Sequence, residues 1–174
     1  MDNKTERAIF AGGCFWCTEA EFQGTPGVVS VTSGYIGGQV ENPTYEQVSS
    51  GHTGHAEAIE VVYDPAVVTY EKLLDIYWGN IDPTDAGGQF YDRGSQYRTE
   101  IFYTSEEQRR AAELSRDAKQ KKLGLAIATA ITKAAIFYPA EEYHQDYYKK
   151  NPLRYNAYKT GSGREEKLKT LWKD

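Results

Sequence analysis

One stretch near the start of the chain decides the fold: Arg7-Ala8-Ile9-Phe10-Ala11-Gly12-Gly13-Cys14-Phe15-Trp16-Cys17. Its apolar beginning, residues 7–11, predicts a β-strand, and the two glycines predict a turn into a helix over residues 14–23. The chain contains only two cysteines, and both lie here, three residues apart. A cysteine pair at the start of a helix indicates metal binding, redox chemistry or nucleophilic chemistry.

Strand-like and helix-like runs alternate through the rest of the chain. We predict strands at 28–32, 55–63, 99–103 and 126–137, and helical segments at 44–48, 70–78, 105–123 and 140–150. The loop predicted for 79–98 is long for a compact domain, which indicates a functional role. The pattern predicts the α+β class, with helices packed on a mixed β-sheet. We expect a single catalytic domain, 1–174, with its core at 6–155 and a charged, peripheral tail at 156–174.

Composition narrows the setting. A chain of 174 residues is long enough to fold around one core without a metal or a disulfide. The net charge is −5 and most basic residues are scattered, so we expect no nucleic-acid partner. Residues 1–7 lack an apolar targeting segment, and no window approaches the roughly 18 apolar residues of a membrane helix. We therefore expect a soluble, cytoplasmic monomer that binds no cofactor and no membrane.

The spacing of the cysteines suits a reversible disulfide. Residues three apart on a helix face the same side, within the Cα separation that a disulfide accepts. Cys14 lies at the amino end, where free N–H groups and the helix dipole stabilise an anion. The sequence thus predicts Cys14 as the more stabilised thiolate and the nucleophile, and Cys17 as the resolving thiol. The plain alternative is that both are small buried apolar residues.

Two other uses of the thiols compete with this interpretation. His52 and His55 complete a possible zinc site with Cys14 and Cys17, although structural zinc favours chains too small to fold alone. A thioredoxin-like exchanger places its cysteine pair inside a βαβ unit. Only thirteen residues precede Cys14, which leaves no room for the leading strand and helix of that unit.

The strand predicted for 55–63 carries two carboxyls on opposite faces. With a period of two, Glu57 shares a face with Ile59 and Val61, and Glu60 lies on the other face. The carboxyl that points into apolar surroundings has a raised pKa and stays protonated near neutrality, as a general acid requires. The alternative is an edge strand with both glutamates in solvent.

Aromatic residues form a third feature. The chain holds 14 tyrosines against 6 phenylalanines, and several, including Tyr45 and Tyr97, fall in predicted loops or turns. Most tyrosines only line the edge of a core. Beside Cys14, however, Phe15 and Trp16 together with phenol donors suit a ligand that has a methyl-sulfur end and a polar oxygen.

Six motifs, in order, resemble the successive signatures of the A class of peptide methionine sulfoxide reductases, over residues 7–155. Each motif is weak alone, but the set is specific. They are Gly12-Gly13-Cys14-Phe15-Trp16, Asn42-Pro43-Thr44-Tyr45, Thr53-Gly54-His55-Ala56-Glu57-Ala58, Tyr63-Asp64-Pro65, Asp92-Arg93-Gly94-Ser95-Gln96-Tyr97-Arg98, and Phe137-Tyr138-Pro139-Ala140-Glu141-Glu142-Tyr143-His144-Gln145.

The resemblance implies reduction of the S epimer of methionine sulfoxide, free or in proteins, with thioredoxin as electron donor and a two-layer α/β sandwich fold. It also implies roles for individual residues. Cys14 attacks the sulfoxide sulfur, and Glu57 protonates the oxygen with help from the hydroxyls of Tyr45 and Tyr97. Pocket residues hold the substrate: Phe15 and Trp16 at its methyl group, and Asp92 in the wall.

The chain departs from the family pattern at the recycling thiol. Many members carry glycine where Cys17 stands and place resolving cysteines in a glycine-rich tail. Here Gly161-Ser162-Gly163 contains none, so Cys17 is the only resolving thiol. The resemblance therefore implies a Cys14 sulfenic acid followed by a Cys14–Cys17 disulfide.

Overall fold

The structure is a computed structural model that describes residues 4–173. Residues 1–3 and 174, the ends of the predicted domain, lie outside the described residues. Within the described part the strands are β1 (Glu6–Gly12), β2 (Val28–Ile36), β3 (Ala56–Tyr63), β4 (Gly88–Gln89), β5 (Asp92–Arg93), β6 (Thr99–Tyr103), β7 (Ala130–Lys133) and β8 (Tyr138–Pro139). The helices are α1 (Phe15–Phe22), α2 (Tyr45–Ser49), α3 (Tyr70–Gly79), α4 (Glu106–Leu123), α5 (Tyr147–Lys150), α6 (Pro152–Gly161) and α7 (Arg164–Leu171).

Six strands form one mixed sheet in the order β7-β6-β1-β3-β2-β8. The β6–β7 pair is parallel and the other pairs are antiparallel, which confirms the α+β prediction. The central strands β1 and β3 pair Phe10 with Ile59. The end of β1 therefore runs beside the start of β3, and this register brings the turn before α1 close to Glu57.

The helix-covered face of the sheet holds the larger core. Alternate residues of β1 and β3 point into it, and they meet apolar side chains of α1 and α3. The ring of Phe10 stacks on Phe22 of α1 at 5.3 Å and on Tyr77 of α3 at 4.9 Å between centroids. Truncating a buried aromatic of this kind typically costs about 3–5 kcal/mol. These contacts fix α1 against the sheet.

The opposite face is covered more lightly. Its core consists of small and branched side chains from four strands, with two partly buried residues of the segment after β7 packed on it. Its buried members are Ile9, Ala11, Ile36, Ala56, Ala58 and Phe102. Because the helices bring their side chains to the helix-covered face, the functional residues lie on that face.

Three predictions of local structure were wrong. Only β7 forms within the strand predicted for 126–137, because the chain then leaves the sheet, where Ile136 is 68% exposed, and returns to it at β8. The helix predicted for 140–150 is broken into a 3₁₀ turn, Glu142–His144, and α5, because Asp146 has a φ of 54°. The loop predicted for 79–98 contains the β4–β5 hairpin and a 3₁₀ turn, Ser95–Tyr97.

The segment predicted as a peripheral tail is also different. It forms the end of α6 and all of α7, and it packs back against the body of the protein. Arg164, the first residue of α7, is 2% exposed. A charged composition indicated solvent exposure, but here the charge is buried against the turn between β1 and α1.

Candidate active site

Cys14 is the N-cap of α1 and follows directly after a tight glycine turn. Gly13 has a φ of 90°, and a Cβ there would lie 2.8 Å from the Cβ of Gln89, so only glycine fits. The carbonyl of Cys14 accepts bonds from the backbone and hydroxyl of Thr18, at 3.3 and 3.2 Å. Cys14 and Cys17 are both free thiols and both buried. The turn thus holds the two sulfurs together inside the protein.

Glu57 points from β3 into the helix-covered face and is 1% exposed. Its Oε1 accepts a hydrogen bond of 3.1 Å from the backbone N–H of Phe15, the first residue of α1. Burial raises the pKa of Glu57 to about 8; the Phe15 bond opposes this shift, and the Asp92 carboxylate adds to it. Strand alternation predicted that Glu57 and Glu60 lie on opposite faces, and the family resemblance selected Glu57. Glu60 lies on the other face, paired with Arg7.

The two thiols have opposite electrostatic surroundings. Burial, the hydrogen bond that Cys14 donates to Cys17, and the Glu57 carboxyl hold the pKa of Cys14 well above its ordinary value. The hydrogen bond from Cys14 and the nearby charge of Arg164 lower the pKa of Cys17 to about 7, against the effect of burial. The resting pair therefore carries its negative charge on Cys17.

This distribution corrects the prediction that the helix start makes Cys14 the more stabilised thiolate. The first free N–H of the helix, on Phe15, donates to Glu57 rather than to the sulfur of Cys14. The N–H of Cys17 is also taken, since it donates to the Cys14 carbonyl at 3.2 Å. A helix start stabilises an anion only through donors that remain available.

The two aromatic residues after Cys14 form a wall. Phe15 is buried, with its ring 5.7 Å from that of Tyr35 and 5.1 Å from that of His144. The half-buried indole of Trp16 stacks on Tyr147 at 3.8 Å and donates from Nε1 to Nδ1 of His144 at 3.0 Å. Because Nδ1 accepts, neutral His144 carries its proton on Nε2, a buried atom with no partner among the described residues.

The other predicted residues surround the same carboxyl and thiol. Burial and then the Glu57 carboxyl raise the pKa of both Tyr45 and Tyr97, with Cys14 adding to each shift. Asp92 accepts a hydrogen bond from the hydroxyl of Tyr158, and burial raises its pKa. Asp92 in turn raises the pKa of Glu57 and of Cys14. All eight site residues predicted from the sequence therefore belong to one connected group.

Sequence reasoning missed several residues of this site. They come from two regions, the 3₁₀ turn before α5 and the helices α6 and α7. Glu141 accepts from the hydroxyl of Tyr35 at 2.9 Å and from the N–H of Tyr45 at 3.0 Å, and so positions Tyr45. The remaining ones are His144, Tyr155, Tyr158 and Arg164. Only the Glu141–His144 motif was visible in the sequence, as part of the family resemblance.

The residues of the alternative zinc site are not placed to bind a metal ion together. Both ring nitrogens of His55 face backbone groups: Nδ1 accepts from the N–H of Gly38 at 3.0 Å, and Nε2 lies 2.7 Å from the carbonyl of Val40. His52 is exposed. Across residues 4–173, no group of three or more histidine, cysteine or acidic side chains is placed to hold a metal ion. In the same range, no helix has the length and apolar character needed to cross a bilayer.

Comparison with known proteins decides the family. The family described as "Peptide methionine sulfoxide reductase" matches residues 6–174. The chain belongs to this family. It is 56% identical to the "Peptide methionine sulfoxide reductase MsrA" of Bacillus licheniformis over 178 residues, which cover 99% of this chain and 96% of that protein. The family resemblance drawn from six motifs is thereby confirmed, and the chain is an oxidoreductase.

Solved structures of the family share its fold. Reduced Mxr1 of Saccharomyces cerevisiae matches with a TM-score of 0.82 at 35% identity, covering 86% of this chain and 87% of that one. Mxr1 in complex with Trx2 matches with a TM-score of 0.61 at 27% identity, covering 84% of this chain and 87% of that one. The mixed sheet and its helices are therefore those of the reductase family.

Proposed function

We propose that this chain reduces the S epimer of methionine sulfoxide, free or in proteins, through a Cys14 sulfenic acid and a Cys14–Cys17 disulfide. The observation that carries the proposal is the meeting of a buried, proton-bearing carboxyl with a thiol at the start of α1. A thiolate attacks a sulfoxide sulfur only if the oxygen receives a proton. Glu57, with a pKa of about 8, holds that proton at neutral pH.

The first half-reaction transfers oxygen from substrate to protein. Cys14 passes its proton to the Cys17 thiolate along their hydrogen bond and attacks the sulfoxide sulfur. Glu57 protonates the sulfoxide oxygen. The bond from oxygen to the substrate sulfur breaks as the bond from oxygen to the Cys14 sulfur forms. Methionine leaves reduced by two electrons, and Cys14 becomes a sulfenic acid.

Neighbouring residues orient the substrate in this proposal. The hydroxyls of Tyr45 and Tyr97 are neutral at all working pH values, since burial and Glu57 raise their pKa, and they donate hydrogen bonds to the oxygen. Phe15 and Trp16 hold the methyl group against an apolar wall. Asp92 shapes the pocket and keeps Glu57 protonated by its charge.

The second half-reaction restores the thiols. Cys17 attacks the sulfur of the sulfenic acid, the sulfur–oxygen bond breaks, and the oxygen leaves as water with the proton released by Cys17. Thioredoxin then reduces the disulfide by thiol exchange. The structure of the yeast relative in complex with Trx2 supports this choice of donor. We also propose a cytoplasmic location and a single catalytic domain.

A single-turnover assay with each separated sulfoxide epimer tests the proposal. Reduced protein without any external reductant should release about one methionine per chain from the S epimer and none from the R epimer. The same sample should lose both free thiols. Release from the R epimer alone would overturn the stereochemical assignment.

The matched control is Cys14→Ser, which keeps a side chain of similar size. We expect this variant to release no methionine, because a serine hydroxyl is a weak nucleophile and cannot take up the sulfoxide oxygen as a thiolate sulfur does. Methionine release that survives in this variant would remove Cys14 from the reaction.

A further inference from the structure

Arg164 is a buried cation beside the active-site turn. It begins α7, and the guanidinium reaches across to the opposite end of the chain. Its Nη2 donates to the carbonyl of Gly12 at 3.2 Å, and its Nη1 donates to the carbonyl of Asn80 at 2.6 Å. The group also lies 4.6 Å from the ring centre of Phe90. These contacts place a permanent positive charge next to the residues that lead into Cys14.

Among the described residues, Arg164 forms one ion pair with a carboxyl, and this contact is weak. Glu21 lies 3.4 Å away through one nitrogen–oxygen contact. Burial raises the pKa of Glu21 to about 8 even though Arg164 opposes the shift. At pH 7 this carboxyl is therefore mostly protonated. A buried arginine without a full counter-charge favours an anion on a neighbouring group.

Cys17 is that neighbouring group. Cys17 and Glu21 lie one turn apart on α1, so they share the helix face that Arg164 contacts. Cys17 is 0% exposed and packs with Tyr147 and Tyr155, which keep water from screening the interaction. The titratable groups that face Cys17 are Cys14, Arg164, Tyr155, Lys159, Glu21, Glu57 and Tyr158.

We propose that Arg164 is the positioning residue of the recycling half-reaction, holding the sulfur of Cys17 as an anion. This inference rests on the proposed function, which supplies the sulfenic acid and the disulfide. The C-terminal helix α7 thus contributes a cation to recycling, where a cysteine-bearing tail would contribute the resolving thiol. The lone resolving thiol is thus paired with a dedicated cation.

The anion is needed twice during recycling. First, the Cys17 thiolate attacks the Cys14 sulfur, so that the sulfur–sulfur bond forms and the sulfur–oxygen bond breaks; hydroxide leaves and takes up a proton to become water. Later, a thiolate of the dithiol donor attacks the Cys14 sulfur and expels Cys17 as a thiolate. The second thiol of the donor then displaces Cys14, and the donor ends as a disulfide, oxidised by two electrons. A low pKa of the Cys17 thiol makes its thiolate a better leaving group and so speeds its expulsion.

Arg164→Gln tests the proposal. After one turnover with methionine sulfoxide, disulfide formation is measured as the loss of free thiols. In Arg164→Gln its rate should be about tenfold lower at pH 7, and the midpoint of its pH profile should rise by about one unit. The rate of methionine release should change less, because a more basic Cys17 takes the Cys14 proton more readily and so offsets its smaller thiolate fraction. Arg164→Lys keeps the charge and should hold the midpoint near that of the unchanged protein.

A second variant tests the partner of the charge. Glu21→Gln replaces a carboxyl that is already mostly protonated at pH 7 and should leave the pH midpoint of disulfide formation near that of the unchanged protein, which tests the charge argument even if Arg164→Gln fails to fold. Arg154→Gln, an exposed arginine on α6, is the matched control and should change neither step.

The outcomes separate the inference from the proposed function. If the pH midpoint of disulfide formation does not move in Arg164→Gln, or if methionine release and disulfide formation slow equally, the role of Arg164 is structural only. A shifted midpoint in Glu21→Gln would mean that Glu21 is the charged partner of Arg164, and would also count against the inference. Absence of methionine release from the unchanged protein would instead overturn the proposed function, whatever the variants do.

Discussion

The two sides of the first turn of α1 differ in charge, although their sulfurs are only three residues apart. On the Cys14 side, carboxyls from β3 and β5 raise the pKa of the thiol. On the Cys17 side, Arg164 and Lys159, both from the C-terminal helices, lower it. The sheet thus supplies the acidic surroundings, and the end of the chain supplies the basic ones.

This difference assigns each side its own chemistry. A protonated carboxyl beside a thiol serves oxygen transfer, because the leaving oxygen needs a proton. A cation beside a thiol serves disulfide chemistry, because the attacking or departing sulfur is an anion. The two thiols at the start of one short helix therefore serve two half-reactions, each favoured by the charged groups on its own side.

Removing the thiol on the cationic side has the largest expected effect. Cys17→Ser should release about one methionine per chain and then stop, with no thioredoxin-dependent turnover, because the sulfenic acid finds no resolving thiol. The first turnover should also slow at neutral pH, since Cys14 loses its proton acceptor. Measurement of methionine against time, with and without reductant, distinguishes the two effects. Sustained turnover would remove Cys17 from the mechanism.

Removing the acid on the other side comes next. Glu57→Gln should slow single-turnover methionine release about 10²–10⁴-fold, the usual contribution of a general acid. In the unchanged protein the rate should fall as pH rises through about 8, where Glu57 loses its proton. Glu60→Gln, on the opposite face of β3, is the matched control and should keep both rate and pH profile. An unchanged single-turnover rate in Glu57→Gln contradicts the acid role.

Glu57→Gln should also change how the free energy of unfolding depends on pH. The pKa of Glu57 is 4.5 for the free side chain and about 8 in the fold, so between these values the folded state binds the extra proton. The free energy of unfolding contributed by this group is therefore lost as pH rises through that window. Glu57→Gln should escape this loss, and denaturant unfolding at several pH values would detect it. Parallel pH dependence in both proteins would mean that Glu57 is ionised in the fold.

The sequence predicted the acidic side better than the basic side, and the reason is locality. The opposite faces of Glu57 and Glu60 follow from strand alternation, and the Gly12-Gly13 turn follows from backbone freedom; both signals lie within a few residues. Register between β1 and β3 then brings Glu57 and this turn together. The burial of Arg164, by contrast, depends on contacts with residues 84 and 152 positions away. A charged segment gives no local signal that one of its arginines is buried.

The wrong predictions have the same origin. The helix predicted over 140–150 is interrupted because Gln145 bonds the backbone of Ser33 with both ends of its amide, at 2.9 and 2.8 Å. Asp146 then adopts a left-handed conformation and accepts a hydrogen bond from Gln23, the residue after α1. The order of the thiol pKa values is set by burial and by the hydrogen bond between the two thiols, and Glu57 and Arg164, both distant in sequence, add to it. Tertiary partners override both the helix propensity and the helix dipole.

The smallest expected effect tests the link between the two sides. Tyr158 of α6 donates a hydrogen bond to Asp92, and this bond lowers the pKa of Asp92 against the effect of burial. Tyr158→Phe removes this donor and leaves the negative charge of Asp92 less offset, so it should raise the pKa of Glu57 by a few tenths of a unit.

The alkaline limb of single-turnover methionine release should then begin at slightly higher pH in Tyr158→Phe, with a rate gain of about twofold or less at pH 8. Tyr103→Phe, at the end of β6 remote from the Gly12 turn, is the matched control. If the alkaline limb of this pH profile does not move in Tyr158→Phe, Asp92 does not set the pKa of Glu57. The C-terminal helices then act on the Cys17 side alone.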